Sequence, residues 1–265
     1  MNRIEERLSA LQERNEKAFI TYVTAGLPDM NKTSEILKTM EEAGTDIVEL
    51  GIPFSDPAAD GPVIQDASYE AILNGANLTK VFDMLKEARK DCNIPVVFMM
   101  YYNTVLHYGL EAFRDRCIET GVDGLIIPDL PFEEQGTLKD VLAAKENSPI
   151  LIQLVSPVSA GRVPMILENA RGFVYCVSSR GVTGGNGTFH KDVIRYLQDV
   201  KKQSSIPVMM GFGIRHAEDV SAVKDTIDGC IVGSHFIRLM RENNFETAPL
   251  KEYCETFKKE LNTTC

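Results

Sequence analysis

Short, continuously apolar runs recur along the chain, and between them apolar residues return every three or four positions. The runs are residues 18–24, 47–50, 96–101, 124–127, 150–155, 173–177, 207–210 and 229–232. They are too short for buried helices and rich in β-branched side chains, which predicts strands covered on both faces. The stretches between them predict helices. Asp29 is a cap residue for a helix carrying Ile36, Leu37 and Met40, and Gly44 stops it. Further helices are expected over 67–73, 78–89, 110–120, 133–145, 160–168, 193–202, 216–224, 234–241 and 250–261.

Strands that alternate with helices imply an α/β protein with a parallel sheet, and eight such strands favour closure into a (β/α)8 TIM barrel. No stretch reads as a linker, so residues 1–265 are expected to form a single catalytic domain. Two features add to the plain barrel. Residues 1–17 place Ile4, Leu8 and Leu11 at helical spacing, an extra N-terminal helix, and an insertion enlarges the loop after the second strand. An open doubly wound sheet is the rival architecture, but no Gly-x-Gly-x-x-Gly follows the first strand.

Composition narrows the function. A net charge of −10 with dispersed lysines argues against a nucleic-acid partner. No apolar run is long enough to span a bilayer, and the N-terminal helix is amphipathic rather than signal-like, so a cytosolic protein is expected. Six cysteines lack Cys-x-x-Cys spacing and four histidines lack a ligand pattern, so neither disulfides nor a metal are expected.

The densest chemistry lies in residues 46–62, Asp-Ile-Val-Glu-Leu-Gly-Ile-Pro-Phe-Ser-Asp-Pro-Ala-Ala-Asp-Gly-Pro. A strand end delivers Glu49, and a loop stiffened by Pro53, Pro57 and Pro62 carries Asp60. The apolar neighbours of Glu49 should raise its pKa towards that of a proton shuttle, while Asp60 sits in more polar company. As a bland alternative, Glu49 is a buried acid satisfied by a backbone amide or an arginine. In a closed barrel the strand ends share one mouth. Gly211-Phe-Gly-Ile and Val232-Gly-Ser-His follow strands seven and eight, the usual phosphate position, where backbone amides and the start of a helix near Ser234 favour an anion. Without an arginine cluster there, a small phosphomonoester fits better than a nucleotide. Tyr22, Met100, Ile127, Tyr175 and Phe212 are an apolar set of strand ends suited to an aromatic body, and each is equally readable as core. Residues 178–188, with four glycines, read as a lid.

The run from Glu49 to Gln65 resembles the signature of the tryptophan synthase α subunit family. So do Pro128-Asp-Leu-Pro with Glu133-Glu134, Tyr175 followed by Ser178, Gly181-Val-Thr-Gly184, Gly211-Phe-Gly-Ile214 and Gly233-Ser234. The resemblance implies retro-aldol cleavage of indole-3-glycerol phosphate to indole and glyceraldehyde 3-phosphate. It implies Glu49 and Asp60 as the catalytic acids, Tyr175 and Thr183 near substrate, and Gly184, Gly213, Gly233 and Ser234 at its phosphate. It also implies an α2β2 assembly with a pyridoxal-phosphate β subunit that receives the indole, docked at a rim including Pro53, Phe54, Asp56 and Pro57. No cofactor is expected in this chain. Tyr22 stands where phenylalanine is common, which adds a hydroxyl to the wall, and the lid sequence departs from the frequent pattern at Arg180. The alternatives are a stand-alone lyase releasing free indole, a phosphosugar isomerase or epimerase, and a non-catalytic regulatory subunit.

Overall fold

The computed structural model describes residues 2–177 and 191–263. Its strands are β1 Ala18–Thr24, β2 Ile47–Gly51, β3 Val96–Met99, β4 Gly124–Ile126, β5 Ile150–Leu151, β6 Gln153–Val155, β7 Val174–Cys176, β8 Val208–Met210 and β9 Gly229–Val232. All pair in parallel, in the order β5-β4-β3-β2-β1-β9-β8-β7-β6. The two ends of that order are consecutive in the chain, separated by Ile152 alone, so the sheet curls back on itself as a TIM barrel. The fifth strand read from sequence is thus two short pieces, one paired to β4 and the other to β7.

The helices are α1 Arg3–Glu13, α2 Met30–Glu42, α3 Pro62–Leu73, α4 Leu78–Ala88, α5 Tyr102–Tyr108, α6 Leu110–Thr120, α7 Gly136–Ala143, α8 Val163–Leu167, α9 Lys191–Gln203, α10 Ser234–Glu242 and α11 Thr247–Asn262. Their starts follow the chemistry of the sequence. Asp29 caps α2 by accepting from the Lys32 amide at 2.9 Å, and Asn77 caps α4 through Lys80 at 3.1 Å. Pro62 opens α3 at a position that needs no amide donor, five residues before the expected start. Helix α5 was not expected, and the segments at 157–162 and 217–223 wind as tighter 3₁₀ turns. None of the described helices is long and apolar enough to cross a membrane.

Strand alternation sorts the core into two shells. Ile20, Ile47, Val97, Ile126, Ile152 and Ile231 fill the barrel, and Ile4, Leu8 and Leu11 of α1 plug its lower end. Phe19, Val48, Phe98 and Leu125 face outward against Ile36, Leu37, Phe82 and Leu85 of the helix layer. A buried carboxylate bolts the plug down. Asp123 accepts from Arg3 at 2.6 Å, from Arg89 at 3.0 Å and from the Val96 amide at 2.9 Å. Removing it strands two guanidinium groups, so Asp123→Ala is expected to destabilise the protein by about 3–5 kcal/mol, read from the urea midpoint.

Candidate active site

Strand β2 sets the geometry of the site. Glu49 is placed opposite Tyr22 of β1 and Val97 of β3, on the inward face near the upper end of the barrel. Among the described residues three acids are buried on or beside the strands, and their surroundings differ. Asp46 accepts from the Phe19 amide at 2.8 Å and from Lys258 at 2.6 Å, and Asp123 holds the two arginines described above. Glu49, only 2% exposed, pairs with no cation among the described residues, and its Oε1 has no hydrogen-bond partner among them. The Tyr175 hydroxyl is its one described side-chain neighbour in hydrogen-bonding reach. Burial pushes the Glu49 carboxyl up to about 8, the Asp60 charge adds to this, and the hydrogen bond from Tyr175 opposes it. Among the described residues, no arginine pairs with this acid and no amide reaches its Oε1.

Glu49 opens onto a recess of about 220 Å³ that Tyr22, Ile64, Met99, Tyr175, Phe212 and Ile231 also line. Two glycines make room for the aromatic walls. A Cβ on Gly51 would fall 2.0 Å from the Tyr22 hydroxyl oxygen, and one on Gly211 would fall 2.3 Å from the Tyr175 ring. Tyr22 is fully buried, with Thr24 Oγ1 donating to its hydroxyl across 3.5 Å. Gly213, Gly233 and Ser234 form the other end of the recess, with Gly213 at φ +68° and Ser234 the first residue of α10.

Asp60 hangs over this recess from its loop rather than lining it. Its Oδ2 accepts from the Tyr101 hydroxyl at 3.0 Å, and that oxygen in turn accepts from the Ala59 amide at 2.9 Å. Phe54 stacks on the Tyr101 ring, with centroids 4.9 Å apart. Burial raises the Asp60 carboxyl, and the Tyr101 hydrogen bond pulls it back. The Glu49 carboxyl senses the Asp60 charge, so the two acids belong to one electrostatic site at the carboxyl end of the strands.

The recess meets Met99 of β3, whereas Met100 and Ile127 are buried one residue past the ends of β3 and β4 and are not among its lining. Successive side chains of a strand face opposite ways, so Met99 and Met100 have different surroundings. Ile64, Arg215, His235 and Arg238 also line the recess and were not expected there. Thr183, Gly184 and Arg180 lie outside the described residues, as does the whole expected lid. Pro53, Phe54, Asp56 and Pro57 sit on the rim, with Asp56 exposed and Pro53, Phe54 and Pro57 partly so.

A closed parallel barrel that gathers an uncompensated carboxyl, a second acid and a glycine-lined, basic recess at the carboxyl ends of its strands has the layout of a barrel enzyme working by proton transfer on a small anion. Comparison with known proteins makes this specific. The family described as "Tryptophan synthase alpha chain" matches residues 8–264. A protein of that name from Lachnospira eligens is 66% identical over 263 residues, covering 99% of this chain and 100% of the relative. One from Alkaliphilus metalliredigens is 48% identical over 238 residues, covering 89% of this chain and 88% of the relative. The crystal structure of tryptophan synthase subunit alpha from Legionella pneumophila superposes with a TM-score of 0.88 at 33% identity, covering 98% of both chains. The chain belongs to the tryptophan synthase alpha chain family. Its reaction is the carbon–carbon lyase step of tryptophan biosynthesis, cleavage of indole-3-glycerol phosphate.

Proposed function

We propose that Glu49 and Asp60 divide the acid–base work of this cleavage within a single catalytic domain. The indole ring lies between Tyr22, Tyr175 and Phe212, and the phosphate rests on Gly213, Gly233 and Ser234. Breaking the bond between indole C3 and the carbinol carbon directly would expel a poor carbanion. Protonated at neutral pH, Glu49 gives its proton to C3 and makes the ring an indoleninium. The carboxylate so formed takes the proton of the carbinol hydroxyl. As the aldehyde forms, the C–C bonding pair returns to the ring and indole leaves. Asp60 stabilises the positive charge that develops at the ring N–H. The observation that carries this reading is the carboxyl of Glu49 opening on the recess, with no cation and one oxygen unpartnered among the described residues.

The partner is a β subunit in an α2β2 assembly, which holds the pyridoxal phosphate and consumes the indole. The rim of Pro53, Phe54, Asp56 and Pro57 is its docking surface. Leu106 in α5 and Val158, at 52% and 94% exposure, follow strand ends β3 and β6 and extend an apolar face on that side of the barrel. Indole release, measured with and without β subunit, tests the assignment. Strong stimulation by β is expected; full activity of the chain alone would favour the stand-alone lyase.

A further inference from the structure

Two arginines and a histidine line the recess together with Gly213, Gly233 and Ser234. They are Arg215, Arg238 and His235. Arg215 follows Gly213 by two residues, and Arg238 lies one helical turn beyond Ser234 on α10, so serine and arginine share a helix face. Both arginines are exposed, and neither forms an ion pair with the described residues. Elsewhere Arg3, Arg89, Arg116, Arg171 and Arg241 each hold a carboxylate. Asp219 is already occupied, because it accepts from the backbone amides of Arg215 and His216 at 2.7 and 2.9 Å. His235 packs at 5.5 Å from the rings of both His216 and Tyr253. Burial holds its imidazole below the ordinary value. His216, Arg215 and Arg238 push it further down, and Glu242 alone opposes them.

We propose that Arg215, Arg238 and His235 form a side-chain layer around the phosphate seat that selects a dianionic phosphomonoester and draws it into the recess. This rests on the phosphate seat proposed above and names the residues that set its specificity. A chain of net charge −10 repels a dianion at long range. Two uncompensated guanidinium groups at a concave mouth reverse that field locally and raise the rate of productive encounter. An exposed charge pair stabilises weakly in isolation, but a phosphate accepts from several donors at once, and backbone amides already fix its position. Neutral His235 can donate one hydrogen bond without adding to the repulsion between the arginines.

The test uses the full chain with its β subunit. In R215M/R238M the KM for indole-3-glycerol phosphate should rise roughly tenfold or more, with kcat within about twofold of the parent. Inhibition by inorganic phosphate should weaken in parallel, and kcat/KM should lose most of its dependence on ionic strength. Cleavage of the dephosphorylated analogue, indole-3-glycerol, should be unchanged. H235Q keeps a donor and should preserve KM, whereas H235L should raise it. An unchanged KM and an unchanged salt slope in the folded double variant overturn the inference and leave the backbone seat standing. Failure of inorganic phosphate to compete in the parent overturns the seat itself. Should the double variant misfold, the same two readouts on R215Q and R238Q decide the matter.

Discussion

Glu49→Gln is expected to lower kcat for indole-3-glycerol phosphate cleavage by about a thousandfold or more while leaving substrate affinity within a few fold. The amide has the shape of the acid and can still meet the Tyr175 hydroxyl, but it can neither give C3 a proton nor take one from the carbinol. The same substitution should stabilise the fold at high pH. An acid whose pKa is raised by folding contributes fully below its unfolded value, and the protein loses that contribution as pH climbs to the folded value. For Glu49 the window runs from 4.5 to about 8. Above it the parent carries a charge in an apolar niche, at a cost of up to about 5 kcal/mol that the glutamine lacks. Urea midpoints of the two proteins should therefore converge in acid, part progressively above pH 4.5 and stay apart above about 8. A variant that is active near the parent level, or one with no pH-dependent gain, would remove Glu49 from the proton path.

Much of the frame behind that site is legible in the chain. Fully apolar runs such as Ile47 to Leu50 announce strands covered on both sides, and Asp29, Asn77 and Gly121 mark helix ends by chemistry that acts within a few residues. The same property that makes the strands readable hides their orientation. Where both faces are apolar, no alternation tells inside from outside, so the sequence does not show that the recess meets Met99 rather than its neighbour. Helix α5 is hidden in the sequence because it begins at Tyr102, at the end of the Met-Met-Tyr-Tyr run whose apolar residues read as a continuing strand.

The site divides along similar lines. Glu49 and Asp60 could be singled out from the apolar strand end and the proline-rich loop. What the sequence does not carry is the contrast between Glu49 and the equally buried Asp46 and Asp123, since Lys258, Arg3 and Arg89 come from remote parts of the chain. Whether a buried acid has a cation is a property of packing. Arg238 had a local signal, its spacing of four from Ser234, and the expectation of a site without an arginine cluster overlooked it.

Asp60→Asn should slow cleavage by about a hundred- to a thousandfold, the effect of losing one preorganised charge partner at a developing ion. Its second consequence distinguishes a catalytic charge from a scaffold. The Asp60 charge helps to hold the Glu49 carboxyl up, so neutralising it should let Glu49 ionise at lower pH and move the basic limb of the kcat profile towards acid. A purely structural Asp60 would slow the reaction without moving that limb. Tyr101→Phe separates the two roles further. It removes the 3.0 Å hydrogen bond that lowers the Asp60 carboxyl, so the acidic limb should rise while kcat falls less than in the asparagine variant. If Asp60→Asn lost less than about tenfold and left both limbs in place, the charge facing the indole nitrogen would have to come from another group.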